Sequence, residues 1–305
     1  MEISASMVKE LREKTGAGMM DCKKALQETE GDMEKAIDLL REKGLAKAAK
    51  KSDRIASEGL VDICISEDGT KAAIVEVNSE TDFVAKNAEF KTFVSDVASF
   101  VLSSNIASVE ELLAASFPGS SETVQETLNS KIATIGENMN IRRFAKFEGQ
   151  GTRAVGYIHG AGKIGVLVEL RTDASAAEVA EVGKDVAMQI AAMNPKYISR
   201  NDVDQEYLEH EKQILTQQAL NEGKPAEIVE KMVVGRLNKQ INEVCVLEQA
   251  FVKNPDVTIA KYIDAEAKKL GKSIELVNMV RFEVGEGIEK KSEDFAEEVA
   301  KQLKK

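Results

Sequence analysis

The sequence predicts an α+β protein assembled from several modules, and three observations carry that expectation. Helical periodicity fills the first 44 residues and returns over residues 203–247. Two β-rich runs, KAAIVEVNSETD (71–82) and KIGVLVELRTD (163–173), repeat one pattern: Lys, an apolar run, Glu76 or Glu169, then Thr-Asp. Each run follows a shorter β-like stretch with a glycine turn and precedes an amphipathic helical stretch, the grammar of a hairpin backed by a helix. Together these predict an N-terminal three-helix bundle, two related α+β core subdomains with small antiparallel sheets, an inserted antiparallel coiled-coil arm and a C-terminal module.

Taken in order, residues 1–44 read as three short helices. Ser4 or Ser6 caps the first, which carries Val8 and Leu11, and Gly16-Ala17-Gly18 breaks it. The second spans residues 19–28 with Ala25 and Leu26 inward, and the third residues 33–43 with Met33, Ala36, Ile37 and Leu40 on one stripe. LAKAAKKSDRIASE, within a linker over residues 45–58, is alanine-rich and basic and reads as a solvated helix. Core subdomain N is expected over 59–150, with a hairpin, a helix carrying Phe90, Val94, Val97 and Val101, two further helices over 108–115 and 121–136, and a strand in NIRRFAKFE (140–148). Core subdomain C is expected over 151–202 and 248–278, its helix carrying Val179, Val182, Val186, Ile190 and Met193. The arm interrupts it at 203–247, two helices about the breaker NEGKP (221–225). One apolar side holds Val203, Tyr207, Ile214 and Leu215, and the other Ile228, Met232, Leu237, Ile241 and Val244. Such an arm meets a partner or a second copy of the chain, unless it lies flat on the body. The C-terminal module, 279–305, reads as a strand and loop followed by a helix over 295–303.

Composition narrows the function. Hydrophobic residues make up 43% and charged residues 30% of 305, so the chain folds as a globular protein and exceeds the size of one typical domain. A net charge of -11 opposes a broad grip on nucleic acid, which needs a surplus of Lys and Arg on one face. No apolar run reaches the ~18 residues of a membrane span. The start, MEISASMVKE, has neither signal-peptide nor transit-peptide character, so the expected location is the cytoplasm of a bacterium, with a trimmed organellar protein as the alternative. Cys22, Cys64 and Cys245 are scattered without CxxC spacing, and His159 and His210 are the only two histidines. No metal site, cofactor or catalytic group is expected, and protein partners are.

The stretch TDFVAKN (81–87) follows a β-like run and sets Asp82 beside Phe83 where the chain turns, the layout of a probe for another protein. On pattern alone Asp82 reads as a helix cap and Phe83 as a core residue seven positions before Phe90, because Thr172-Asp173 repeats the pair without the Phe. Met19 and Met20 after Gly18 read either as an adaptable contact surface or as filling of the bundle. Gly156 to Lys163 invites a phosphate-loop reading, which Tyr157 and Ile164 exclude.

Six stretches in order, LREKTGAGMMDCKKAL, EVNSETDFVAKN, KIATIGENMNIRR, HGAGKIGVLVE, GKPAEIVEKMVVGR and RFEVGEGIEK, resemble translation elongation factor Ts along nearly the whole chain. The resemblance implies a ubiquitin-associated-like (UBA-like) bundle, a two-part core with a coiled-coil insertion, and nucleotide exchange on the GTPase elongation factor Tu, without bond-making catalysis. It implies that Thr81, Asp82, Phe83 and Val84 press beside that partner's switch region and dislodge its magnesium. It implies a second contact through His159, and further contacts through Arg12, Met19, Met20 and the tail around Val284 to Ile288. The alternative is an interaction adaptor using the bundle and arm; an RNA-binding factor is opposed by 5% aromatic content, no Trp and the acidic balance.

Overall fold

The computed structural model describes residues 3–289; the helix expected over 295–303 lies outside them. The Ser4 hydroxyl accepts the Met7 N–H at 3.3 Å and starts α1 (Ala5–Thr15), which Gly16 ends in the left-handed region at φ 65°. With α2 (Met19–Glu28) and α3 (Met33–Ala49), it encloses Val8, Leu11, Cys22, Ala25, Leu26 and Ala36. The third helix does not stop near Lys43 to leave a separate linker helix over 45–58. It continues to Ala49, because LAKAA is made of strong helix formers, and the remaining residues to Ser57 turn.

Most of that linker is exposed, as expected, but it is tied down at several points. Gly44 of α3 lies against α7 (Val124–Ile135), where a Cβ would sit 3.7 Å from the Ala133 methyl in ordinary van der Waals contact. Lys51 Nζ donates to the Gly136 carbonyl, and Asn138 Nδ2 donates to the carbonyls of Ser52 at 3.3 Å and Arg54 at 2.7 Å.

The remaining elements alternate between sheets and helices. The first sheet, in order β1-β2-β3, joins β1 (Glu58–Ile65), β2 (Ala72–Ser79) and β3 (Met139–Phe147). Between β2 and β3 lie α4 (Asp82–Lys86), α5 (Ala88–Ser103), α6 (Val109–Ala114) and α7. The second sheet, in order β4-β5-β8, joins β4 (Thr152–His159), β5 (Ile164–Arg171) and β8 (Glu275–Glu283), with β4 and β5 antiparallel from Thr152 opposite Arg171 to His159 opposite Ile164. β8 begins at Glu275, ahead of the expected Met279, because Leu276 reaches the core. Helix α8 (Ala176–Met193) covers this sheet so closely that a Cβ on Gly183 would meet the Val155 side chain at 2.5 Å. Its Val179, Val182, Val186 and Ile190 share one buried cluster with Val166, Val168 and Leu170 of β5 and with Ile259 and Ile263 of α11 (Ile259–Leu270). A short pair, β6 (Ala250–Phe251) and β7 (Asn254–Thr258), leads into α11. The fold is α+β with small antiparallel sheets, as the sequence predicts.

Helices α9 (Gln205–Asn221) and α10 (Ala226–Val244) fold back on each other. Val203 clusters with Ile241 and Cys245 at one end, and Ala219 with Val229 and Val233 at the other. On α10 Leu237, Ile241 and Val244 lie on the seam as expected, and the difference is confined to the first turns of the helix. Val229 and Val233 are buried in place of Ile228, and Ile228 is exposed, as is Ile214 on α9. A slip of one residue at that end is the error periodicity permits, since the adjacent residues at 228–229 and 232–233 are all apolar.

By contacts the described residues divide into two compact units. One holds those of Met1–Asp62, Val75–Phe144 and Glu283–Lys305, the other Ile63–Ile74 and Ala145–Phe282.

Candidate partner-binding surface

The segment after β2 is held from two directions within the first unit. Thr81 donates its N–H to Glu137 Oε2 at 3.0 Å and its hydroxyl to Glu137 Oε1 at 2.7 Å. In return the Asn138 N–H donates to Glu80 Oε1 at 2.5 Å. Two carboxylates thus exchange backbone contacts between residues 80–81 and 137–138, which fixes the entry to α4. Thr81, not Asp82, is the cap: its extended backbone and its hydroxyl, 3.4 Å from the Val84 N–H, start the helix. Asp82 sits in the first turn, favourable for the helix dipole, with Lys86 Nζ 2.6 Å from Oδ2. Asn87 stops α4 and caps α5, accepting the Glu89 N–H at 2.7 Å.

This short helix sorts its apolar residues sharply. Val84 and Ala85 are buried, while Phe83 is 80% exposed. Phe83 is not part of the core that holds Phe90, because α4 ends before α5 begins and the two do not share one helical phase. Burying a Phe side chain is worth roughly 1.5–3 kcal/mol, which this chain forgoes when alone. A rigid backbone therefore presents an unburied aromatic beside a carboxylate, the composition of an interface anchor.

His159 is exposed at the end of β4, before a tight turn in which Gly160, Ala161 and Gly162 all have positive φ and the Lys163 N–H donates to the His159 carbonyl at 3.1 Å. Because β5 follows directly, this is a hairpin tip and not a strand-loop-helix phosphate cradle. Tyr157, two residues back on the same strand face, brings its hydroxyl 3.0 Å from His159 Nδ1. In the bundle, Arg12 is exposed on α1, and Met19 and Met20 open α2 at 57% and 62% exposure, outside the cluster formed by Cys22, Ala25 and Leu26. The tail around Val284 departs from expectation: Val284 is buried and the Gly285 N–H donates to the buried Glu76 at 2.9 Å. A Cβ on Gly285 would strike the Ser57 carbonyl, so Val284 and Gly285 pack inward, while Glu286 and Gly287 are exposed.

Glu76 organises that packing. Burial pushes its carboxyl up, but the Gly285 N–H, Asn78 and Arg143 overcome that and hold it below the ordinary glutamate value. Arg142 and Arg143 approach it at 3.1 and 2.5 Å from β3. Residue pattern missed Glu80, Glu137 and Asn138 as holders of the Phe83 segment. The partners lie 56 to 58 positions apart, and the signal was that Glu80 falls in one of the six resembling stretches and Glu137 and Asn138 in another.

Among the described residues no group of three or more His, Cys, Asp or Glu side chains is placed to hold a metal, and no helix is long and apolar enough to cross a membrane.

Residues 80–286 match the family described as Elongation factor TS. Elongation factor Ts of Clostridioides difficile is 63% identical over 302 residues, 99% of each chain. The same-named proteins of Clostridium perfringens and Clostridium kluyveri are 59% and 56% identical, over 98% and 99% of each chain. Similarity at this level, end to end, shows that the chain belongs to the elongation factor Ts family.

Proposed function

We propose that this chain promotes release of GDP from elongation factor Tu and its exchange for GTP, acting in the bacterial cytoplasm by protein binding and without bond-making chemistry. The family and the bacterial relatives support the role, and the observation that carries the mechanism is Phe83, 80% exposed on a helix whose Val84 and Ala85 are anchored. Exchange by binding obeys linkage: a factor that weakens nucleotide binding must itself bind the nucleotide-free GTPase more tightly by the same factor. Each tenfold needs ~1.4 kcal/mol of contacts made in one state only. Phe83 is the wedge for those contacts. Its neighbours cannot retreat, because Thr81 is tied to Glu137, so its insertion displaces the partner's groups instead. Beside it Asp82 presents a carboxylate to the switch elements that hold the partner's magnesium, and loss of that ion loosens the phosphates. His159, Arg12, Met19 and Met20 supply secondary contacts.

The test is release of labelled GDP from purified elongation factor Tu. Addition of the chain accelerates release, and Phe83→Ala lowers that acceleration by about 30-fold or more, the effect of losing an anchor worth ~2 kcal/mol, with the melting temperature unchanged. Binding with no acceleration would instead identify an adaptor.

A further inference from the structure

Within the first unit, three consecutive residues between α7 and β3 grip two separate parts of the chain. Toward the linker, the Gly136 carbonyl accepts from Lys51 Nζ, and Asn138 Nδ2 donates to the carbonyls of Ser52 at 3.3 Å and Arg54 at 2.7 Å. Toward the Phe83 segment, Glu137 accepts both the N–H and the hydroxyl of Thr81, and the Asn138 N–H donates to Glu80. Arg54 Nη1 closes the ring, 3.5 Å from Glu80 Oε1. Asn138 holds both parts at once, one through its side chain and the other through its backbone. A short amide suits the place, because its two N–H bonds serve two carbonyls.

Each part carries a surface that the proposed function uses. Residues 51–54 follow α3, a helix whose Ala36 lies in the bundle core and whose Gly44 lies against Ala133 of α7. Thr81 starts α4, which carries the exposed Phe83. The joint at 136–138 therefore sets the spacing between the bundle, with Arg12, Met19 and Met20, and the Phe83 ring. A partner that touches both surfaces meets a fixed span, and any misfit with its nucleotide-bound form is taken up by the partner. A slack joint lets the chain adapt to that form instead. Binding is then kept, but the difference in contact between the two states, which alone shifts the nucleotide equilibrium, shrinks.

We propose that Asn138 is a positioning residue for exchange: it ties the linker and the Phe83 segment into one rigid body, so that the bundle and Phe83 reach the partner at a set spacing. The inference rests on the reading that both surfaces touch elongation factor Tu and that Phe83 is the wedge.

Asn138→Leu keeps the size of the side chain and the backbone N–H and removes both side-chain donors. With the chain at saturation, the rate of labelled GDP release from elongation factor Tu falls about fivefold, while the half-saturating concentration stays the same or drops. In the free chain, hydrogen exchange at the amides of Thr81 and Ala85 becomes several-fold faster, with the circular dichroism of the fold retained. Asn138→Ala, which cannot crowd its neighbours, gives the same pattern. In a Phe83→Ala chain the substitution brings no further loss, because no ring is left to position. An unchanged saturating rate overturns the proposal. So does a loss seen only as a higher half-saturating concentration, which would make Asn138 a partner contact, and so does an equal loss with and without Phe83, which would make its role structural. Full acceleration by the Phe83→Ala chain itself is a separate failure: it removes the wedge reading, and this inference with it.

Discussion

The two repeats start alike and end differently. β2 and β5 each carry a buried glutamate, Glu76 and Glu169, and each belongs to a sheet completed by a strand from far along the chain. In the first repeat Glu76 meets Arg142 and Arg143 of β3 and the Gly285 N–H. Glu169 instead accepts the Thr152 hydroxyl at 2.8 Å and Asn278 Nδ2 at 2.5 Å. After the strand, the first repeat inserts α4 and exposes Phe83, whereas in the second Thr172 accepts the Ala174 N–H at 3.1 Å and Ser175 caps α8 at once. Ala174, next to Asp173 as Phe83 is to Asp82, is fully buried. The Thr-Asp pair is thus a strand-end device common to both, and one extra helical turn converts it into a presenting platform.

The largest test of this contrast removes the buried acids. Glu76→Ala strands the buried Gly285 N–H and removes the carboxylate that Arg142 and Arg143 share, although Arg143 keeps Glu286 at 3.2 Å, and should cost about 3 kcal/mol in urea unfolding. Glu169→Ala, which strands only neutral donors, should cost about 1–3 kcal/mol. Equal costs would show that the two glutamates do the same job. Next is the exchange across repeats. Ala174→Phe forces a ring into a filled site and should lose about 1–3 kcal/mol, whereas Phe83→Ala should leave stability unchanged and act only on exchange. A stable Ala174→Phe chain would mean that the second repeat can also host a wedge.

Smaller still is the cap. Thr81→Ala removes the hydroxyl from the start of α4 and should cost ~1 kcal/mol, with a partial loss of exchange as Phe83 loses its fixed direction. The corresponding Thr172→Ala should affect stability alone. Acid titration gives the finest comparison. Glu76 is held below its ordinary value of 4.5 in the folded chain, so the stability it contributes is full above that pH and is lost as pH falls through the lower folded value. Glu76→Gln should flatten that limb of the stability profile, as measured by urea unfolding at a series of pH values.

Much of the fold was legible because its signals are local. Ser4, Asp32, Thr123 and Ser175 cap helices by reaching three residues ahead, and the apolar runs in residues 71–82 and 163–173, each after a glycine turn, mark the hairpins without reference to the rest of the chain. The errors fell where two local readings were equally good. Residues 44–49 continue a helix as readily as they begin one, and only the approach of Ala133 to Gly44 shows what the stretch is for. The arm's seam slipped at one end because adjacent apolar pairs at 228–229 and 232–233 have no local tiebreaker.

For the candidate surface, residue order alone settled which groups were available: a Phe and an Asp after a β-run, a histidine beside glycines, two methionines after a glycine. It also settled that the first repeat alone carries the Phe. Whether Phe83 faces water or the core was left to the folded chain. The answer rests on Thr81 meeting Glu137 and on Glu80 meeting Asn138, pairings between residues more than 50 positions apart. A pattern read along the chain cannot contain such pairings, because loop closure over that distance is settled by the packing of α7 and β3 and by no neighbour in sequence.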